Sequence, residues 1–474
     1  MTRPFTPIPL TSREVRWLIA VFVLTLPAVT ARLYSSDEVQ YFSYLRSLWF
    51  DRDVSFENEY RHFYDSGVAR TEGFRETFLV PLTQTGKREN FATVGCAILW
   101  APFYAVADVV TRAFRAGGAS LEADGYSRVY VAAVAYGSAL YGFLALLLSA
   151  GLARRLTGDG VLAMLAIWFG TPLLFYMYAA PPFSHACSAF AVALFITVWI
   201  HVREQWSPRG FVYLGAAAAV MTMVREQDVF YAVGPAVDVL AAAVKDSRFR
   251  SQLRGVAAGV LAFVIAYSPQ LFAYWALNGR LGPSRLVTRK MTWTAPHALG
   301  VLASPQHGLF IWTPLALLAI AGLVLLWRNQ APGATPARAD VRASVDAPRR
   351  LAACLLLIFA LQVYVSGSVE SWTVAGAFGQ RRFVGATALL VIGLAALWRT
   401  LRPGAPRAAI ATLGALAIWW NIGLMALFGA GLMDRQRLDL PRNAHGVFVT
   451  LPLSAPALVY RYLFNRDSFY KAPE

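Results

Sequence analysis

"YSSDEVQYFSYLRSLWF", residues 34–50, follows directly on the first long apolar run of the chain. It places two acids, Asp37 and Glu38, where a membrane helix would leave the bilayer. Ser35 followed three residues later by Glu38 is a capping box, in which side chain and backbone N–H satisfy one another reciprocally. Val39, Phe42, Leu45, Leu48 and Trp49 then continue as one face of an amphipathic helix. An acid at a helix start gains about 0.3–1 kcal/mol from the backbone dipole. Capping accounts for one acid and leaves the second, which sits beside further charge in "FDRDVSFENEYRHFYD", residues 50–65. A carboxylate at a helix N-terminus is favoured in its ionised form and can accept a proton from an incoming hydroxyl. The stretch therefore reads as a capped surface helix that presents a base.

The rest of the chain says which surface. Of its 474 residues, 57% are hydrophobic and 15% charged, and its apolar runs repeatedly exceed the roughly 18 residues that a bilayer-spanning helix needs. This predicts an all-α polytopic membrane protein. Spans are expected over 15–32, 128–152, 160–179, 184–202, 210–224, 228–244, 255–277, 308–327, 351–366, 381–398 and 408–432, about eleven in all. A twelfth would come from "TVGCAILWAPFYAVADVV", 93–110, which contains Pro102 and Asp108. No cleavage site follows the first run, which is expected to stay as helix one.

Loop charge orients the chain. Arg154 and Arg155, Arg203 and Arg209, Lys245 to Arg254, Arg328 to Arg350, and Arg399 to Arg407 share a side with the N-terminus if 93–110 does not cross. The positive-inside rule makes that side the cytoplasm, and 93–110 then reads as a re-entrant or interfacial helix. The expected organisation is one membrane domain, 1–432, with residues 33–127 as a helical first periplasmic loop, and a short periplasmic tail, 433–474. The basic, Pro/Ala-rich stretch 328–350 reads as a flexible cytoplasmic linker. The formal charge of +16 is concentrated in these short segments and signals topology, not nucleic acid. Cys96, Cys187 and Cys354 lie in or beside apolar runs without the spacing of a metal site and read as packing residues.

The candidate site residues fall on the outer face. Arg225 ends an apolar run, and an arginine at that level must be paired or wet; it either pairs with Glu226 or Asp228 or binds a phosphate through its planar fork. Arg381 and Arg382 open another span, as anchors or as further phosphate ligands. His185 and His307 sit in short loops beside prolines, as interfacial side chains or substrate contacts. Glu370 and Trp372 suit a sugar, one by hydrogen bonds and one by stacking, and Gln380 completes this set. No metal-ligand spacing occurs; a divalent cation held by Asp37 or Glu38 with a phosphate stays an alternative. No Walker A or Rossmann glycine pattern argues for direct use of a nucleotide.

"SDEVQYF" (36–42) resembles the acidic signature just past the first span of the GT-C membrane glycosyltransferases, the superfamily of protein O-mannosyltransferases and aminoarabinose transferases. "FGTPLLFYMYAAPPFSHACSAF" (169–190), "MVREQD" (223–228), "SPQHGLFIWTPL" (304–315) and "GAFGQRRFV" (376–384) are similar, in that order, to a bacterial GT-C-like group. The Lys/His-Pro-Pro-Leu element of those transferases is replaced here by "TVGCAILWAPFY" (93–104). The resemblance implies a GT-C-like bundle in the bacterial inner membrane, N-terminus cytoplasmic. It also implies an inverting transferase that moves a sugar from a polyprenyl-phosphate donor to a hydroxyl of a glycan, lipid or protein acceptor. Asp37 would be the base, Glu38 its support, and Arg225, Arg381 and Arg382 the donor-phosphate ligands. A glycosidase usually needs a second carboxyl group to protonate its leaving alcohol. A polyprenyl phosphate leaves as a stabilised anion, so one base and a cation cluster suffice. A flippase or transporter of lipid-linked glycans, or a glycan polymerase or ligase, are the competing readings.

Overall fold

Helices form wherever the sequence is apolar for long enough; some break at polar residues or prolines, while Pro102 and Pro269 are carried inside helices. The computed structural model describes residues 10–245, 249–328 and 339–469. Among these residues there is no strand; two isolated antiparallel bridges, Leu82 with Arg88 and Met291 with Val369, tie loops together. Nine described helices are long and apolar enough to cross a membrane, with shorter apolar helices at Val161–Gly170, Pro208–Val224 and Pro314–Arg328. Ser12–Thr25 precedes them. The chain is a multi-pass membrane protein, and each of the eleven expected spans is occupied by helix.

Several expected spans are broken, and the breaks gather near the acidic helix. The run 160–179 divides into Val161–Gly170 and Leu173–Tyr178 around Thr171 and Pro172. Pro208–Val224 ends at the extended residue Arg225, which leads into a 3-10 turn Glu226–Ala232. Arg381–Ala386 is likewise a 3-10 turn before Thr387–Thr400. Irregular backbone inside a membrane protein is tolerated where it lines a cavity.

Without a hydrophobic driving force in lipid, helices associate through small residues that let backbones meet. A Cβ on Gly322 would lie 1.8 Å from the Gly393 carbonyl oxygen, and one on Gly215 would lie 1.9 Å from that of Gly259. The end of the bundle farther from Asp37 is locked by charge. Asp238, fully buried, receives Arg203 at 2.7 Å, Arg350 at 2.6 Å and the Trp199 indole N–H at 3.1 Å. Glu14 pairs there with Arg154, and Glu204 with Arg155.

Two expectations need restating, and the helix expected at 93–110 can be described in full. Gly95–Ala116 is long enough to span, yet Thr93 donates to the Val224 carbonyl at 2.9 Å and Val94 N–H to Gln270 at 2.8 Å. Farther along, Trp49 and Tyr130 both donate to Asp108. Both parts of the helix are therefore held on the Asp37 side. Residues 433–474 are not merely a short tail: they carry a 25-residue apolar helix, Leu440–Phe464. Pro452 and Pro456 lie inside it, Pro452 just after the π-turn Gly446–Thr450 that joins Leu440–His445 to Leu451–Phe464. Leu438 N–H bonds Pro305 O at one end, and Tyr462 and Arg466 bond the carbonyls of Ala28 and Pro27 at the other. Of the expected linker 328–350, residues 329–338 lie outside the described residues, and helix Ala339–Gly367 already begins within it, as its Ala/Arg content favours.

The close approach of Gly322 to Gly393 predicts that Gly322→Ala costs about 1–3 kcal/mol by overpacking. Gly414→Ala, where a Cβ meets nothing within 4 Å, should be neutral or stabilising by up to about 1 kcal/mol. Thermal unfolding of the two purified variants against the parent checks the contrast.

Candidate active site

The capping box forms as the spacing dictates, and it divides the two acids. Glu38 Oε2 accepts the N–H groups of Tyr34 at 2.6 Å and Ser35 at 2.9 Å, and its own N–H donates to Ser35 Oγ at 3.4 Å. Its side chain is wholly buried. Asp37, one residue earlier, turns the other way into a cavity of about 410 Å³.

Helix Ser36–Arg46 is seated by two amides. Asn90 donates to the Gln40 carbonyl at 3.1 Å, and Phe91 N–H donates to Gln40 Oε1 at 2.8 Å. The same contacts bring Phe91 and Thr93 to the cavity wall. Opposite them stand the two 3-10 turns that carry the cations, and the loop 283–293 closes the remaining side with Thr288, Lys290 and Trp293.

Arg381 NH1 donates to Asp37 Oδ2 at 2.8 Å, and its guanidinium lies 5.4 Å from the Phe183 ring centre. One N–H of a five-donor fork is thereby used. Arg225 NH1 lies 3.0 Å from His185 Nδ1. An arginine N–H can only donate, so Nδ1 is the acceptor and the ring proton sits on Nε2. Arg382 donates to Ser366 O at 3.3 Å and Ser371 Oγ at 3.1 Å, while its carbonyl accepts from Gln227 and Gln362. The lining groups thus include four cations, Arg225, Arg381, Arg382 and Lys290, against two carboxylates, Asp37 and Glu226. Behind them Asp228 is buried and accepts from Ser188 at 2.6 Å.

Of the residues singled out from sequence, Asp37, His185, Arg225, Arg381 and Arg382 line this one cavity. Glu38 does not. His307 is buried away from it, with φ +62°, stacked on Trp312 at 4.6 Å. Glu370 is exposed, and it touches the loop wall through its N–H to Lys290 O. Trp372 stacks on His297 at 5.1 Å, and Gln380 is buried beneath it, donating to its carbonyl at 3.3 Å. Sequence reasoning passed over Lys290, Gln227, Thr93 and Tyr41. A signal for Lys290 existed: residues 279–297 hold Arg280, Arg285, Arg289 and Lys290 and no acid, whereas the bases of the loop 33–127 are interleaved with acids. A divalent cation, were one to bind, would find Asp37 and Glu226 as its carboxylates; among the described residues no cluster of three or more His, Cys, Asp or Glu side chains occurs.

No protein-family model matches the chain, and no curated protein matches it in sequence. Among solved structures it is similar to the crystal structure of ArnT from Cupriavidus metallidurans bound to undecaprenyl phosphate. The likeness covers 97% of this chain and 73% of that one, at 15% identity and a TM-score of 0.54. It shows the fold: an all-α polytopic arrangement like that of ArnT.

Burial pushes the Glu38 carboxyl up to about 8, against the Tyr34 and Ser35 N–H groups that favour its ionised form. In the unfolded chain it titrates near 4.5, so between these values the folded protein binds more protons and stability falls as pH rises. Glu38→Gln keeps an acceptor for the cap and removes the titration. The parent should lose melting temperature from pH 6 to 8 more steeply than this variant does; parallel curves would contradict the assignment.

Proposed function

We propose that the chain is an inverting glycosyltransferase that moves a sugar from a polyprenyl-phosphate donor to an acceptor hydroxyl. The observation that carries this reading is a carboxylate at a capped helix start sharing one cavity with three guanidiniums in a GT-C-like fold. The undecaprenyl phosphate bound to ArnT supports the same lipid class here.

In this mechanism the acceptor oxygen attacks the anomeric carbon from the side opposite the phosphate, which inverts its configuration. Asp37 takes the hydroxyl proton as the new C–O bond forms. The bond from the anomeric carbon to the phosphate oxygen breaks, and the polyprenyl phosphate leaves as an anion. Charge growing on that phosphate is met by Arg225 and Arg382, and by the part of the Arg381 fork that Asp37 does not use. Arg381 thus touches base and leaving group at once. His185 holds Arg225 in place, and Gln227 and Gln362 hold the backbone of the Arg381–Arg382 turn. The lipid tail would lie among apolar side chains at the membrane level. The acidic helix faces the periplasm, and the basic end with Arg154, Arg203 and Arg399 faces the cytoplasm of a bacterial inner membrane.

Asp37→Asn, which keeps an acceptor for Arg381 but removes the charge, should lower transfer from a polyprenyl-phosphate sugar by about 10²–10⁴-fold, while the chain still folds and still binds the donor. An Asn variant that keeps its rate but melts early would make Asp37 a structural partner of Arg381 only. Arg225→Ala should weaken donor binding and Arg225→Lys restore part of it, because lysine keeps charge but loses the fork.

The orientation is tested in intact cells with single cysteines on a cysteine-free background. An impermeant maleimide should label position 65 and spare position 402, both exposed. The reverse pattern would invert the topology.

A further inference from the structure

At the end of the bundle remote from Asp37, a second cavity has the shape and charge of a lipid site. The helices Val161–Gly170, Arg381–Thr400 and Ala405–Ala430 leave a cleft of about 580 Å³ between them. Its walls are apolar, with Leu162, Ala166, Leu315, Leu394, Ile410 and Ile418. Leu162 is still 58% exposed. Trp398, Arg399 and Arg407 stand at the rim. The 20-residue helix that starts at Arg381 in the first cavity ends here, roughly 30 Å away at 1.5 Å per residue.

The two rim arginines, unlike four others at this end, are not paired with acids among the described residues. Arg154, Arg155, Arg203 and Arg350 at this end of the bundle each meet an acid. Arg399 donates only to Leu156 O at 3.4 Å, and Arg407 to Leu401 O at 3.1 Å, with its guanidinium 5.6 Å from the Trp398 ring. Among the described residues neither has a carboxylate partner. The one acid in the wall, Asp159, is engaged as a cap by the Val161 N–H at 3.1 Å. An apolar groove between membrane helices with two guanidiniums at its mouth is complementary to a lipid whose chain fills the groove and whose phosphate sits on the arginines.

We propose that this cleft binds an anionic glycerophospholipid, which ties Ala405–Ala430 to the two helices beside it. The site is independent of the transfer reaction. The test uses the purified, delipidated full chain with phosphatidylglycerol, phosphatidylcholine, glycerol 3-phosphate and undecaprenyl phosphate as separate probes. Phosphatidylglycerol should raise the melting temperature by several degrees and persist as an adduct in native mass spectrometry, while phosphatidylcholine and glycerol 3-phosphate do neither.

The double variant Arg399→Gln/Arg407→Gln should weaken the adduct by about tenfold or more. Ala411→Trp, which fills the groove and keeps both arginines, should weaken it likewise. Equal retention of phosphatidylcholine, a response to glycerol 3-phosphate alone, or an adduct unchanged in both variants would overturn the proposal. So would undecaprenyl phosphate binding more tightly than phosphatidylglycerol and being lost in the same two variants.

Discussion

The pairing of Arg381 with Asp37 at 2.8 Å is the contact around which the site is arranged. Three arginines sharing one cavity repel one another, and each must be wet, paired or bound to an anion at the level of a membrane. Asp37 offsets part of that repulsion. The remainder is spread over neutral acceptors: His185 Nδ1 for Arg225, and a serine carbonyl and hydroxyl for Arg382. Such acceptors hold a guanidinium in place without neutralising it. The cavity is left with an excess of positive charge that suits a phosphate.

That arrangement depends on interrupted helices. Arg225 has extended backbone between Pro208–Val224 and the turn Glu226–Ala232, and Arg381 and Arg382 open a 3-10 turn. A continuous helix would spread these side chains around its circumference. The breaks instead turn them toward one point, while Gly322 on Gly393 and Gly215 on Gly259 let the surrounding helices pack backbone to backbone.

Much of this was legible from local rules. Ser35 and Glu38 at three-residue spacing predict the cap, and a cap whose acid is Glu38 leaves Asp37 to face elsewhere. The apolar runs mark the spans by length alone. The loop around Arg381 was not legible, since Glu370, Trp372 and Gln380 stand near that arginine in sequence but do not line the cavity. Left-handed backbone at Val374, Gly376 and Gly379 folds the loop back, so Trp372 finds His297 and Gln380 is buried beneath it. The helix Leu440–Phe464 was hidden by its prolines. Lys290 was hidden because basic residues in loops read as topology signals, and only the lack of any acid in 279–297 distinguishes this group.

The central claim is that Asp37 and the arginine cluster meet the reacting end of a polyprenyl phosphate. A cryo-electron-microscopy structure of the full chain with undecaprenyl phosphate tests it most directly. The account predicts phosphate density within hydrogen-bond distance of Arg225, Arg381 or Arg382, with the Asp37 carboxylate left open on the acceptor side. A phosphate seated away from all three arginines would contradict it.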